Sequence, residues 1–204
     1  LEELNVSKSD TIVVSGIGCS SRSATYTQFD EVHTLHGRAI PFATAIKLCR
    51  PDKKVIVFTG DGDSSAIGGN HLIHAARRNI DITVIVFNNN IYGMTGGQVS
   101  PLTPSTKKGT TARFGNFETP FDLTKLVVGA GATYVARTGT YYYKTMKNYM
   151  KKAFTRKGFS LIEALSQCPI YFGRLNKNPD PYNMMMAQKE LLVSKQKAEK
   201  PTKE

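Results

Sequence analysis

Val55-Ile56-Val57-Phe58-Thr59-Gly60-Asp61-Gly62-Asp63 is the stretch on which the fold turns. An apolar, β-branched run without polar alternation predicts a strand buried on both faces. It breaks off in glycine and aspartate, and Ser64 to Arg78 then reads as a helix. The same grammar repeats on either side. Thr11-Ile12-Val13-Val14-Ser15-Gly16 reads as a short buried strand ending in glycine, and Arg38 through Leu48 as a helix that stops near Arg50-Pro51. Ile82-Thr83-Val84-Ile85-Val86-Phe87 reads as a third strand, ending in Asn88-Asn89-Asn90. Further on, the pattern predicts a helix at Phe121–Gly129, a strand near Tyr134–Ala136, a helix at Tyr141–Arg156 and a strand at Ser160–Leu165. Continuous apolar strands separated by helices imply an α/β fold, a parallel sheet covered by helices on both faces. Ligands of such sheets sit beyond the carboxyl ends of the strands. Gly16–Ser20, Gly60–Asp63 and Asn88–Gly97 all fall there, so one site built from three strand ends is expected.

The stretch from Tyr92 to about Pro120 is rich in Gly, Thr, Pro and Ser, and so long a loop inside a compact domain is expected to be a lid or cradle. From Asn176 the chain reads as a connecting loop, one amphipathic helix and a polar end. The organisation expected is a cofactor-binding domain over 1–175 and a C-terminal loop, helix and basic tail over 176–204. The 204 residues suffice for one full core, and 40% hydrophobic with 21% charged residues is an ordinary globular balance. No apolar run nears the roughly 20 residues that span a bilayer. Three widely spaced cysteines, Cys19, Cys49 and Cys168, argue against a disulfide framework and for a reducing, cytoplasmic setting. Cys49, at a helix end, is expected to be a small buried residue. The net charge of +11 gathers in Lys144, Lys147, Lys151, Lys152, Arg156 and Lys157, and again in Lys195, Lys197, Lys200 and Lys203. Solvated helix faces with a basic tail, or a dock for an acidic electron carrier, account for that charge. Nucleic acid is disfavoured because no aromatic-interleaved basic motif accompanies it.

Asp61 carries the first chemical reading. It follows a strand, sits between two glycines and precedes a helix, where unpaired N–H groups and the positive dipole end suit a diphosphate. The glycines Gly60 and Gly62 would let the backbone approach that ligand closely. A carboxylate there is repelled by diphosphate unless a divalent cation lies between them, and Mg²⁺ is the natural choice. Asn89, one helix and one strand further on, is placed to offer a second oxygen, and the Ile91 carbonyl a third.

The wider text of this region resembles the β subunit of 2-oxoacid:ferredoxin oxidoreductases. The resemblance lies in Gly60-Asp61-Gly62-Asp63, Ile67-Gly68-Gly69-Asn70-His71, His74-Ala75-Ala76-Arg77-Arg78-Asn79 and Asn89-Asn90-Ile91-Tyr92-Gly93-Met94-Thr95-Gly96-Gly97-Gln98. Ser15-Gly16-Ile17-Gly18-Cys19-Ser20 and His33-Thr34-Leu35-His36-Gly37-Arg38-Ala39 belong to it too, so it covers about residues 9–175. It implies a thiamine-diphosphate-binding (pyrophosphate-type) module in which Asp61, Asn89 and the Ile91 carbonyl hold Mg²⁺. Gly60, Gly62, Asp63, Gly93, Met94 and Thr95 would line the diphosphate, with Cys19 and His36 beside the cofactor. The implied activity is the oxidative decarboxylation of 2-oxoglutarate to an acyl-CoA with electrons passed to ferredoxin, or its reductive reverse. Arg22, three residues after Cys19, could face the substrate carboxylate or the cofactor, against a bland surface ion pair. His71 and His74 are expected to pack or cap.

Family members bind a [4Fe–4S] cluster near the thiamine, and Cys19 and Cys168 stand at two ligand places. The other two would come from a Cys-x-x-Cys that this sequence lacks, and a cubane needs four ligands. Either those ligands lie upstream of Leu1, which the missing Met suggests, or the cluster is absent. The glutamate that activates the cofactor is expected from a partner α subunit, so the chain alone should be inactive. Rival readings are a non-oxidative thiamine-diphosphate 2-oxoacid decarboxylase subunit, a ferredoxin oxidoreductase for pyruvate or another 2-oxoacid, and a non-catalytic subunit of the same fold. A membrane role is not expected.

Overall fold

The computed structural model describes residues 2–194, so Lys195, Lys197, Lys200 and Lys203 lie outside the described residues. Six strands form one parallel sheet: β1 (Thr11–Ser15), β2 (Asp30–His33), β3 (Lys54–Gly60), β4 (Thr83–Asn88), β5 (Tyr134–Gly139) and β6 (Ser160–Leu165). Their spatial order is β2-β1-β3-β4-β6-β5. The longer helices are α2 (Ala39–Cys49), α3 (Gly69–Arg77), α4 (Leu123–Gly129), α5 (Tyr143–Thr155) and α6 (Pro181–Leu191), and α1 (Arg22–Thr25) is a single turn.

Alternation along the strands sends side chains to two cores. Val14, Val55, Val57, Val84, Val86 and Leu161 meet Ala43, Leu72, Ala76, Leu123 and Val127 from α2, α3 and α4. Val13, Ile56, Ile85 and Ile162 point the other way, toward Ala24 of α1 and Ala153, Met150 and Phe154 of α5. Both faces of the central strands are thus buried, which is why β1, β3 and β4 read as apolar runs and β6 as one interrupted by Glu163. β2 was not anticipated. It is an edge strand of mostly exposed residues, Asp30-Glu31-Val32-His33, and carries no apolar run to find.

Two local departures have physical causes. The helix expected over Ser64 to Arg78 opens as a wide π-turn over Asp63–Ile67 and becomes α-helical only at Gly69. The Ser64 hydroxyl donates to the Gly60 carbonyl (2.8 Å) and the Ser65 hydroxyl to the Asp61 carbonyl (2.5 Å), and such back-bonding loosens the regular ladder. Cys49, expected to be buried, is exposed at the end of α2. The buried residue of that turn is Lys47, whose ammonium donates to the Pro51 and Lys53 carbonyls and lies 3.0 Å from Asp81. The stretch from Tyr92 to Pro120 is free of helices and contains only two isolated bridges, Tyr92 with Gln98 and Gly109 with Ala112. α6 returns to the body: its buried Gln188 accepts from the Tyr141 N–H at 3.0 Å.

Candidate functional site

At the carboxyl edge of the sheet the ends of β1, β3 and β4 enclose a cavity of 250 Å³. Cys19, His36, Gly60, Asp61, Gly62, Asp63, Asn89, Ile91, Gly93, Met94 and Thr95 all line it, so residues up to 76 positions apart in sequence converge where the strand pattern placed them. Arg22 is not brought to its wall. It is exposed at the start of α1, one turn beyond Cys19. His71 and His74 lie on α3, away from the cavity.

Asp61 is 4% exposed, and its carboxylate accepts from the Ser100 hydroxyl at 2.5 Å. Burial pushes its pKa up to about 7, against the opposing pull of Ser100 and of the Gly62, Asp61 and Ile91 N–H groups. No lysine or arginine lines the cavity, so no cation among the described residues there compensates that charge. A buried carboxylate without a cationic partner is costly, and a divalent cation would offset that cost. The Ile91 N–H reaches Asp61 as well as the Asn89 side-chain oxygen (3.3 Å), which puts the Asn89–Ile91 turn against Asp61. One carboxylate, one amide oxygen and one carbonyl suit Mg²⁺, which takes few protein ligands and keeps room for phosphate oxygens. Among the described residues no cluster of three or more His, Cys, Asp or Glu offers a competing metal site.

Gly62 has ordinary helical backbone angles (φ −72°), so no strained turn requires a glycine there. Its reason is Tyr92: a Cβ on Gly62 would lie 2.1 Å from the tyrosine ring. The Tyr92 ring also meets that of His36 edge-on, with centroids 6.1 Å apart. Asp63 lines the cavity, but its carboxylate is engaged by protein groups. It accepts from Gly37 N–H (2.6 Å) and the Thr59 hydroxyl (2.7 Å), and lies 2.7 Å from His36 Nδ1, an electrostatic contact outside hydrogen-bond alignment. Asp63 therefore ties the His36–Gly37 loop to the end of β3 and has little left for a ligand.

Cys19 and Cys168 meet at Gly93. A Cβ on Gly93 would stand 3.3 Å from the Cys19 sulfur and 3.6 Å from the Cys168 sulfur, so both thiols face one glycine beside the cavity. Burial and the neighbouring Cys168 raise the Cys19 pKa. Ser100, absent from the sequence expectations, sits in the long loop, and nothing in its spacing tied it to Asp61.

Residues 16–164 match the family described as thiamine pyrophosphate enzyme, C-terminal TPP binding domain. The 2-oxoglutarate synthase subunit KorB of Methanocaldococcus jannaschii is 55% identical over 204 residues, all of this chain and 76% of the relative. The 2-oxoglutarate oxidoreductase subunit KorB of Mycobacterium tuberculosis is 43% identical over 171 residues, 84% of this chain and 46% of that one. Among solved structures, the 2-oxoglutarate:ferredoxin oxidoreductase of Magnetococcus marinus, with 2-oxoglutarate, coenzyme A and succinyl-CoA bound, superposes with a TM-score of 0.80 at 39% identity. That superposition covers 82% of this chain and 57% of the other. With the family match over most of its length and the first of these relatives spanned over three quarters of its own, the chain belongs to the thiamine-diphosphate-binding β subunits of the 2-oxoacid:ferredoxin oxidoreductases, of the 2-oxoglutarate type.

Proposed function

We propose that the chain is the cofactor-binding subunit of a cytoplasmic enzyme that oxidatively decarboxylates 2-oxoglutarate to an acyl-CoA and passes the electrons to ferredoxin, or runs the reverse. The observation that carries this is a cation-seeking carboxylate, Asp61, in one cavity with Cys19, whose thiol shares the approach to Gly93 with the buried Cys168 thiol beside that cavity. A non-oxidative decarboxylase needs the first and has no use for the second.

Thiamine diphosphate, when bound, supplies the carbanion and electron sink for decarboxylation, and a [4Fe–4S] cluster supplies the one-electron outlet. Asp61, Asn89 and the Ile91 carbonyl would hold Mg²⁺, with Ser100 fixing the Asp61 oxygen it bonds. The N–H groups where the π-turn opens, together with Gly93 and Thr95, would cradle the diphosphate. Cys19 and Cys168 would supply two of the four ligands that a cubane cluster needs. Ile17, Phe87, Ile91 and Met94 make the cavity wall largely apolar, which excludes water and strengthens the electrostatics within it. His36, between Asp63 and Tyr92, positions its ring beside the cofactor. Arg22, exposed at the start of α1 and off the cavity wall, would serve a substrate carboxylate from outside the cavity. An α subunit carrying the activating glutamate completes the site, since no glutamate lines it here.

The test is anaerobic: co-expression of the full-length protein with its partner subunit, and viologen reduction with 2-oxoglutarate, coenzyme A and thiamine diphosphate. Reduction that needs all three and is lost in Asp61→Ala is expected. Carbon dioxide release without reduction would transfer the chain to the non-oxidative decarboxylases, and a preference for pyruvate would change the substrate alone.

A further inference from the structure

A carboxylate lies in the middle of the sheet where the strand pattern calls for an apolar residue. Glu163 on β6 is 2% exposed, flanked by Ile162 and Ala164, and paired across the sheet with Val86 on one side and Arg137 on the other. Its Oε2 accepts from Arg137 Nε at 2.7 Å, and its Oε1 accepts from Asn88 Nδ2 at 2.7 Å. Arg137 in turn donates to Asp122 at 2.7 Å. Replacing a buried ion pair by apolar side chains of similar size is often neutral or stabilising, so stability alone does not explain this one.

Asn88 shows what it does. It is the last residue of β4, immediately before Asn89. Because an ionised carboxylate only accepts, Glu163 fixes which end of the Asn88 amide faces it. The Asn88 oxygen is thereby aimed at the Asn90 N–H, which it accepts at 3.0 Å. Asn90 is held at φ 63°, a left-handed conformation that side chains rarely adopt, and the Thr103 hydroxyl clamps its carbonyl at 2.6 Å. The backbone of Asn88 also accepts from the Ser166 N–H at 2.8 Å, two residues before Cys168. Glu163 thus governs the turn that presents Asn89 and Ile91, through a residue shared with the turn that leads to Cys168.

Resting on the Mg²⁺–diphosphate reading above, we propose that Glu163 is a positioning residue for the metal turn, acting through Asn88 and anchored by Arg137. Glu163→Gln breaks the arrangement in a defined way. Glutamine carries one donor end, so either Asn88 or Arg137 must face a donor. Combining Asn88→Asp with Glu163→Gln restores every bond. The glutamine amide then donates to one oxygen of the introduced aspartate, and its own oxygen accepts from Arg137. The second aspartate oxygen accepts from the Asn90 N–H, and the net charge is unchanged.

The experiment uses the complex with its partner subunit and titrates thiamine diphosphate by calorimetry over a series of MgCl₂ concentrations. The EPR spectrum of Mn²⁺ in place of Mg²⁺ serves as the second readout. Glu163→Gln is expected to raise the Mg²⁺ needed for half-saturation by about tenfold, the size typical of groups that orient metal ligands, with the double variant back within about twofold. The Mn²⁺ spectrum should broaden in the first and revert in the second, while kcat at saturating Mg²⁺ and cofactor changes little. A folded Glu163→Gln with parental Mg²⁺ dependence, or a double variant that fails to recover, overturns the proposal. Should Glu163→Gln not fold, Asn88→Ala decides, and parental Mg²⁺ dependence there overturns it equally. If the parent complex itself shows no Mg²⁺-dependent binding, the cofactor reading falls and this inference falls with it.

Discussion

Two residues at the cavity show how function and stability pull apart. Asp61 is buried, desolvated and held by Ser100 and three backbone N–H groups, so its negative charge burdens the protein until a cation arrives. Its raised pKa means that the stability it contributes is present below the usual carboxylate pKa and is lost as pH rises through about 7. Asp61→Asn keeps the shape and drops the charge. At pH 8 without metal it should melt at or above the parental temperature, while its Mg²⁺-dependent cofactor affinity falls beyond the roughly 10–100-fold typical of outer-sphere changes. Calorimetric melting and binding titrations check the two halves separately, and a less stable apo variant would contradict the burial argument. Gly62 makes a steric case instead. Its backbone would accept alanine, but the added carbon meets the Tyr92 ring at 2.1 Å, so Gly62→Ala should cost about 1–3 kcal/mol by overpacking. Adding Tyr92→Leu should recover part of that stability, measured by denaturant melts. Glycine at 62 is legible in the sequence, but the partner that demands it is not, because Tyr92 reaches it across two strand ends. Ser100, Asn88 and Glu163 escape for the same reason: each acts through long-range side-chain hydrogen bonds, and spacing along a chain carries no trace of them.

The elements were legible in proportion to how deeply both their faces are buried. β1, β3 and β4 announce themselves as apolar runs because cores lie above and below them, and β6 does so despite Glu163. The edge strand β2 and the π-turn over Asp63–Ile67 do not, since exposure shapes the first and hydroxyl back-bonding the second instead of a periodic apolar face. α4 is a helix whose start is set by charge. Asp122 caps it, accepting from the Lys125 N–H at 3.3 Å and the Thr124 hydroxyl at 2.9 Å, and pairs with Arg137 at 2.7 Å. Partial burial opposes ionisation, but the bonds from Thr124, Arg137 and Lys125 outweigh it and hold the carboxyl at about 2, below its ordinary 3.8. A lowered carboxylate pKa gives stability that is present above the ordinary value and is lost as pH falls through the folded one. Asp122→Ala should cost about 0.5–2 kcal/mol at pH 7, as other cap deletions do. The gap between parent and variant melting temperatures should close between pH 4 and pH 2, and a gap that persists at pH 2 would mean the side chain acts by shape and not by charge.

At the scale of the whole molecule the net charge of +11 asks for an acidic partner, and the fold says where that partner would be useful. The α5 lysines form the densest run in the sequence, yet Lys147 and Lys151 already pair with Glu3 across a groove on the second face of the sheet. The thiols that would feed electrons outward lie at the carboxyl edge instead, and the segment after Cys168 carries Arg174 and Lys177, both exposed. The loop carrying exposed Lys107 and Lys108 is stitched to that segment by Asn176, which accepts from the Lys108 N–H at 2.9 Å and donates to its carbonyl at 3.1 Å. Four cations on two linked loops, one of which follows Cys168, the proposed cluster ligand, are better placed for an acidic electron carrier than a helix on the far face, because electron transfer requires nearness. In the assembled enzyme, ferredoxin reduction should therefore slow with rising ionic strength while viologen reduction barely changes. Lys107→Glu with Lys108→Glu should raise the KM for ferredoxin by about an order of magnitude at low salt, as losing complementary charge slows docking, and leave kcat with viologen intact. Lys144→Glu with Lys152→Glu is the control on α5. Were that pair to impair ferredoxin reduction and the loop pair not, the carrier would dock on the far face, and the path from the Cys168 turn to the surface would have to run through the partner subunit.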